Sequence, residues 1–171
     1  MSEKTVGEVK ERLAALFPVL YKFFILKGND VDVAYDLAVE TYEKGLRQAY
    51  SYDPGKASVK TWIFYIAKNS GINYWRTEKN RREILAKNQI WKTYEDQSPE
   101  DVAILNEENQ LLVESISKLD QKSKMVVALK FSANMTNREI SQITGLGESN
   151  IGVILFRAMK SLKSLLVEKV K

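Results

Sequence analysis

Residues 136–162 read TNREISQITGLGESNIGVILFRAMKSL, and the reading of this stretch decides the fold. Thr136 and Glu139 have the T-x-x-E spacing of a capping box: the hydroxyl takes one orphan N–H and the carboxylate reaches back to another. Ile140 and Ile143 follow at helical spacing until Gly145 and Gly147 break the run. A second helix then carries Ile151, Leu155, Ala158, Leu162 and Leu165/Leu166 along one stripe. Two short helices across a glycine turn describe a helix-turn-helix, whose second helix is shaped to enter a DNA major groove. Many helical hairpins share this outline, so the stretch alone leaves a purely structural hairpin open.

Composition narrows the field around it. The 171 residues suffice for one ordinary domain or two small ones, and 28% charged with 44% hydrophobic residues predicts a folded chain. There is no His and no Cys, which removes zinc fingers, thiol redox chemistry, disulfides and imidazole-based catalysis. Glycine-rich phosphate loops are absent. The expectation is a protein without catalytic residues, resident metal or cofactor. The N-terminus mixes both charge signs and lacks a signal peptide's apolar core, and the apolar stretch 13–26 is too short to span a bilayer. A cytoplasmic location without membrane insertion follows as an expectation.

The net charge of +4 is strongly partitioned. Residues 43–92 carry 11 Lys/Arg against 4 Asp/Glu, and residues 118–171 carry 10 against 4. Residues 93–117, between them, have 7 acidic residues and no basic one. A single charge run is usually solvated surface. Two basic blocks, one of them holding the helix-turn-helix, favour a polyanionic partner.

Nearly every periodic stretch is helical, so the fold class is all-α. Helices are predicted over about 6–27, kinked or split by Pro18, over 33–50 behind a cap at Asp30 or Asp32, and from Ser58 through Arg76 toward the basic run at 79–82. Ala34, Leu37, Ala38, Thr41 and Gly45 share one face of the second helix and suit close packing; Asp36, Glu40 and Glu43 lie on another. The Pro54-Gly55 pair marks a sharp break. Helices resume at about 107–119, 121–133, 136–144 and 148–170. The domain reading is an N-terminal helical unit (residues 1–92), a flexible acidic linker (93–108) and a C-terminal helix-turn-helix unit (109–171).

The first basic block interleaves Tyr50, Tyr52, Trp62, Phe64, Tyr65, Tyr74 and Trp75 with Lys56, Lys60, Lys68 and Arg76. Aromatic rings stack on unpaired bases while Lys and Arg neutralise phosphates, a mixture suited to single-stranded or opened DNA. About half of these rings are expected in the core instead. Trp62 is the best candidate for a base contact. In the last helix Asn150, Val153 and Arg157 fall on one side, where Asn reads adenine and Arg clamps guanine or phosphate; Arg157 and Lys160 are equally compatible with surface charge.

These residues resemble bacterial sigma factors of the extracytoplasmic-function type, over about residues 10–167. Residues 36–42, DLAVETY, look like the family's D-L-V-Q-E-T-F segment, which docks on the clamp helices of the polymerase β′ subunit. Residues 52–62, YDPGKASVKTW, are similar to F-D-P-x-x-G-S-F-K-x-W, the loop and helix that recognise and melt the promoter −10 element. Residues 140–162 resemble the family's helix-turn-helix that binds the −35 element. The resemblance implies core polymerase contacts, to β′ and β, from Asp36, Leu37, Glu40 and Thr41. It implies −10 contacts from Tyr52, Asp53, Lys56, Ser58, Lys60, Trp62, Asn69, Asn73 and Arg76. It implies −35 contacts from Arg138, Ser149, Asn150, Val153, Ile154, Arg157 and Lys160. The acidic linker would run toward the RNA exit path, and an anti-sigma factor is a further partner that the family admits.

Three departures stand out. Val39 replaces the usual Gln, Asp120 replaces a Pro after Leu119, and Gly152-Val153-Ile154 replaces K-S-R in the recognition helix. The last drops two positive charges, so less counterion is released and −35 affinity should fall. The leading reading is an alternative sigma factor. Two rivals stay open at this point: a polymerase-independent helix-turn-helix regulator, and a sigma-like protein that binds polymerase without independent promoter recognition.

Overall fold

In the computed structural model, which describes residues 3–87 and 107–169, the chain folds into seven α-helices, with no strand among the described residues. They are α1 (Glu3–Leu26), α2 (Val31–Gln48), α3 (Val59–Lys87), α4 (Glu107–Ser117), α5 (Gln121–Ser132), α6 (Asn137–Thr144) and α7 (Glu148–Lys169). A single 3-10 turn, Ala49–Ser51, extends α2. The expected linker falls almost wholly on residues 88–106, outside the described ones; Glu107 and Glu108 begin α4.

Local signals set the ends of these helices. Asp30 is the cap of α2, its Oδ1 accepting from the Val33 N–H at 2.7 Å. Ser58 Oγ accepts from the Thr61 N–H at 3.1 Å and starts α3. Asp120 takes the N–H groups of Lys122 and Ser123, at 2.9 and 3.0 Å, and starts α5. Hydrogen bonds from the Ser123 hydroxyl and backbone hold the Asp120 carboxyl below its ordinary pKa. Asp120 therefore replaces the family's Pro with a working N-cap. Pro18 does not split α1: it lies on the exposed side of one continuous helix.

The predicted small-residue face of α2 is the buried one: Ala34, Leu37, Ala38, Thr41 and Gly45 all point inward. At Gly45 the helices come so close that an added Cβ would lie 2.6 Å from Ile63 Cδ1 and 3.3 Å from Leu13 Cδ1. Leu13, Leu20, Phe23, Phe24, Ile63 and Phe64 complete the N-terminal core, with Phe23 edge-on to Phe64 at 5.3 Å. Val126, Leu129, Met135, Ile140, Ile143, Ile151 and Leu162 form its C-terminal counterpart. The two cores are continuous, because α5 packs on α1 and α6 packs on α3.

Candidate nucleic-acid and polymerase interfaces

The helix-turn-helix is built as its sequence predicts. Glu139 N–H donates to Thr136 Oγ1 at 3.2 Å and Thr136 N–H donates to Glu139 Oε2 at 2.8 Å, a complete capping box. Gly145 ends α6 in the left-handed region at φ +77°, with its N–H on the Ser141 carbonyl at 2.8 Å. That conformation suits glycine and turns the chain into α7. Ile151, Ala158 and Leu162 hold α7 to the core. Ser149, Asn150, Val153 and Arg157 are thereby left exposed on its outer side, with Arg138 exposed on α6 and Lys160 exposed farther along α7. Ile154 differs from its neighbours: it is half-buried and packs against the core, so of the three substituted family positions Val153 presents the open side chain.

The loop between α2 and α3 is locally ordered. Asp53 Oδ1 accepts from the Gly55 N–H at 2.9 Å, the Lys56 N–H closes on the Asp53 carbonyl at 3.1 Å, and Tyr52 donates its hydroxyl to the Ala57 carbonyl at 2.8 Å. Asp53, Lys56 and Ser58 stand in solvent. Trp62 is half-buried, its ring 5.1 Å from Tyr52, whose own ring is buried. Tyr52 therefore supports the Trp62 indole instead of offering a free ring. Burial, with Asp53 adding to it, raises the Tyr52 hydroxyl pKa. Farther along α3, Asn73 and Arg76 are exposed and joined by a 3.4 Å hydrogen bond, while Asn69 is half-buried. Of the aromatic set, Phe64 and Tyr52 are core residues, and Tyr50, Tyr65 and Trp75 are exposed.

On α2, Asp36 and Glu40 are exposed, and Glu40 pairs with Lys44. Leu37 and Thr41 are not on that surface. At 2% and 0% exposure they face the core, because the small-residue stripe and the acidic stripe occupy opposite sides of one helix. Sequence reasoning missed another feature, an apolar groove of about 840 Å³ along α4 and α7. Leu112, Phe156, Met159, Leu166 and Val167 line it beside Lys160 and Lys163, and Phe156 is 72% exposed. The consecutive apolar positions around Phe156, too many for one stripe, were its only sequence signal.

Two family models match the chain: sigma-70 region 2 over residues 9–81 and sigma-70 region 4 over residues 109–162. Together they span well over half of it. The chain belongs to the sigma-70 family. The ECF RNA polymerase sigma factor SigM of Bacillus subtilis is 28% identical over 146 residues, covering 85% of this chain and 87% of the relative. The ECF sigma factor RpoE of Cereibacter sphaeroides is 28% identical over 129 residues, or 75% of this chain and 70% of that one. Among solved structures, the sigma factor RpoE of Bartonella quintana, in complex with the anti-sigma factor NepR, superposes with a TM-score of 0.73. It covers 93% of this chain and 96% of its own at 22% identity, a likeness of fold. This sigma factor is of the extracytoplasmic-function type. It binds core RNA polymerase and directs promoter-specific initiation. Among its described residues no helix is long and apolar enough to cross a membrane.

Proposed function

We propose that residues 1–92 dock on the polymerase β′ clamp helices and capture the −10 strand, that residues 93–108 thread the polymerase, and that residues 109–171 read the −35 duplex. Asp36 and Glu40 supply the docking carboxylates, while Leu37 and Thr41 serve by packing α2 in place. Asp53, Lys56, Ser58 and Lys60 follow the −10 strand, the Trp62 indole stacks on a base, and Asn69, Asn73 and Arg76 lie toward the duplex. Ser149, Asn150, Val153 and Arg157 face the −35 major groove, flanked by Arg138 and Lys160. The observation that carries this reading is the exposed outer side of α7, set by a complete capping box and the Gly145 turn. The protein works by binding and positioning, without covalent chemistry, in the cytoplasm where polymerase and promoter meet.

Transcription of fragmented genomic DNA by purified core polymerase, with and without this protein, tests the reading. New RNA starts that share spaced −35 and −10 motifs are expected, and their loss in the double variant Asp36→Ala/Glu40→Ala assigns the docking face. Core binding without new starts overturns the promoter-reading part. An anti-sigma factor is a further proposed partner, supported by the complexes of two structural neighbours, RpoE with NepR and CnrH with the cytosolic domain of CnrY. The groove beside Phe156, flanked by Lys160 and Lys163, suits an amphipathic helix with acidic flanks.

A further inference from the structure

Lys68, Ile72, Trp75 and Lys79 recur along α3 at helical spacing and form one stripe on its surface. The stripe borders a cleft of about 590 Å³ whose other walls come from α1 and the turn after it, the start of α5 and the end of α6. Lys27 and Lys122 line the cleft as well, so four ammonium groups meet one cavity, and no Asp or Glu is among its lining residues. Asp120, the neighbouring acid in the chain, commits its carboxylate to its own helix start, accepting from the Lys122 and Ser123 N–H groups and the Ser123 hydroxyl. The volume is that of a small-molecule site.

Two buried groups in this cleft lack the partners their chemistry asks for. Lys27 is 9% exposed, and its ammonium meets neutral oxygens, Gln121 Oε1 at 3.3 Å and the Gln121 carbonyl at 3.5 Å. A buried cation is ordinarily paired with an anion. Burial, then Lys124, lowers its pKa to about 8, which leaves it an ammonium at neutral pH. Asn29, 8% exposed, donates Nδ2 to the Phe24 carbonyl at 2.7 Å, while its buried Oδ1 accepts from no group among the described residues. Buried acceptors without a donor are uncommon in folded proteins. Trp75, 38% exposed, presents part of its indole to the same cleft.

We propose that this cleft binds a nucleoside polyphosphate, with its phosphates among Lys27, Lys68 and Lys122, its base against Trp75 and a base N–H on Asn29 Oδ1. A purely apolar ligand would bury the lysines without an anion, and a purely anionic one would leave the wall of Phe24, Ile72, Met125 and Leu146 uncovered. A molecule with a polyanionic end and a flat stacking end satisfies both. With no carboxylate in the lining to hold a divalent cation, the metal-free form is the one that fits. None of these residues is among those assigned above to polymerase or promoter, so the inference goes beyond that reading and does not depend on it.

Calorimetric titration of the full-length protein with ATP and with inorganic tripolyphosphate, both in EDTA, tests the site. Saturable one-to-one binding of both is expected, with ATP the tighter. Lys27→Met should weaken both about tenfold, the scale of a charge-assisted hydrogen bond, and an unfolding temperature no lower than that of wild type separates this loss from misfolding. Trp75→Leu should weaken ATP about fivefold and leave tripolyphosphate unchanged, because only the nucleoside stacks. Lys10→Met removes the same charge from exposed α1 surface about 25 Å away along the helix and should leave both affinities at wild-type values. No binding at millimolar ATP, wild-type affinity in Lys27→Met, or an equal loss in Lys10→Met overturns the site. Equal affinities for ATP and tripolyphosphate, unmoved by Trp75→Leu, overturn its assignment to a nucleoside.

Discussion

At Gly152 the recognition helix pairs a weakness with an opportunity. An added Cβ would have Asn137 Nδ2 as its nearest neighbour, at 3.8 Å, which is ordinary contact. Gly152→Ala should therefore stabilise the protein by about 0.5–1 kcal/mol in denaturant unfolding, since glycine within a helix costs that much. Val153 next to it is 46% exposed, so Val153→Arg should add a phosphate contact without disturbing the core. The slope of log affinity for the −35 duplex against log salt should steepen by about 0.9. An Arg at Ile154 would instead displace a side chain packed on the core, and a loss of stability should accompany any gain in affinity. The sequence comparison identified the three-residue departure; only burial distinguishes which of the three positions meets DNA. Lys27 is a second residue whose behaviour depends on its surroundings. Burial, then Lys124, lowers its pKa from 10.5 to about 8. The closed fold binds fewer protons than the unfolded chain between these values, so stability should rise with pH from about 8 to 10.5. Lys27→Met should abolish that rise and add roughly 2 kcal/mol at neutral pH, measured by thermal unfolding across the pH range.

Among the elements, α2 carries the clearest division of labour. One stripe of small residues buries against α1 and α3, and the opposite stripe keeps its acids in water. Gly45 is the closest point of approach, so Gly45→Val should cost about 1–3 kcal/mol by overpacking against Ile63 and Leu13, with Asp36 and Glu40 left exposed. The stripe itself was legible because small residues recur at helical spacing. The placement of Leu37 and Thr41 on the polymerase face was not, because a linear motif match does not separate residues that touch a partner from those that orient the helix. In α6 the same carboxylate serves two elements. Glu139 caps its own helix through Thr136 and pairs with Lys60 of α3. Burial pushes its pKa up, but hydrogen bonds from Thr136 and Lys60 outweigh that and hold it below the usual carboxylate range. Its contribution is present above the unfolded pKa and lost as pH falls through the lower folded value. Acidification should therefore loosen α6, read as a fall in thermal stability with falling pH that Glu139→Gln makes shallower.

At the scale of the whole molecule, the chain is two sigma units whose helices touch. The all-α class, the seven helices and the capped helix-turn-helix follow from the sequence alone. Periodicity, capping residues and glycine breaks are local signals, acting over three to seven positions, and the helices form largely as these dictate. The family was equally legible, since its motifs are contiguous and keep their order. What tertiary structure decided is the relation between the units: Lys60 on Glu139 and Ala133, Lys68 on Ile143, and Lys27 buried against α5. These pairs lie 73 to 94 residues apart in the chain. Each lysine taken alone reads as solvated charge or a phosphate ligand. Its partners are main-chain carbonyls, the Gln121 side-chain oxygen, or a carboxylate already engaged in a capping box, and no residue type announces that a carbonyl will be free. The sequence determined which helices form and which faces suit DNA and polymerase, because those depend on neighbours along the chain. The packing of α5 and α6 on α1 and α3 decided which of those faces is open in the free protein, because access depends on what lies against a side chain in space.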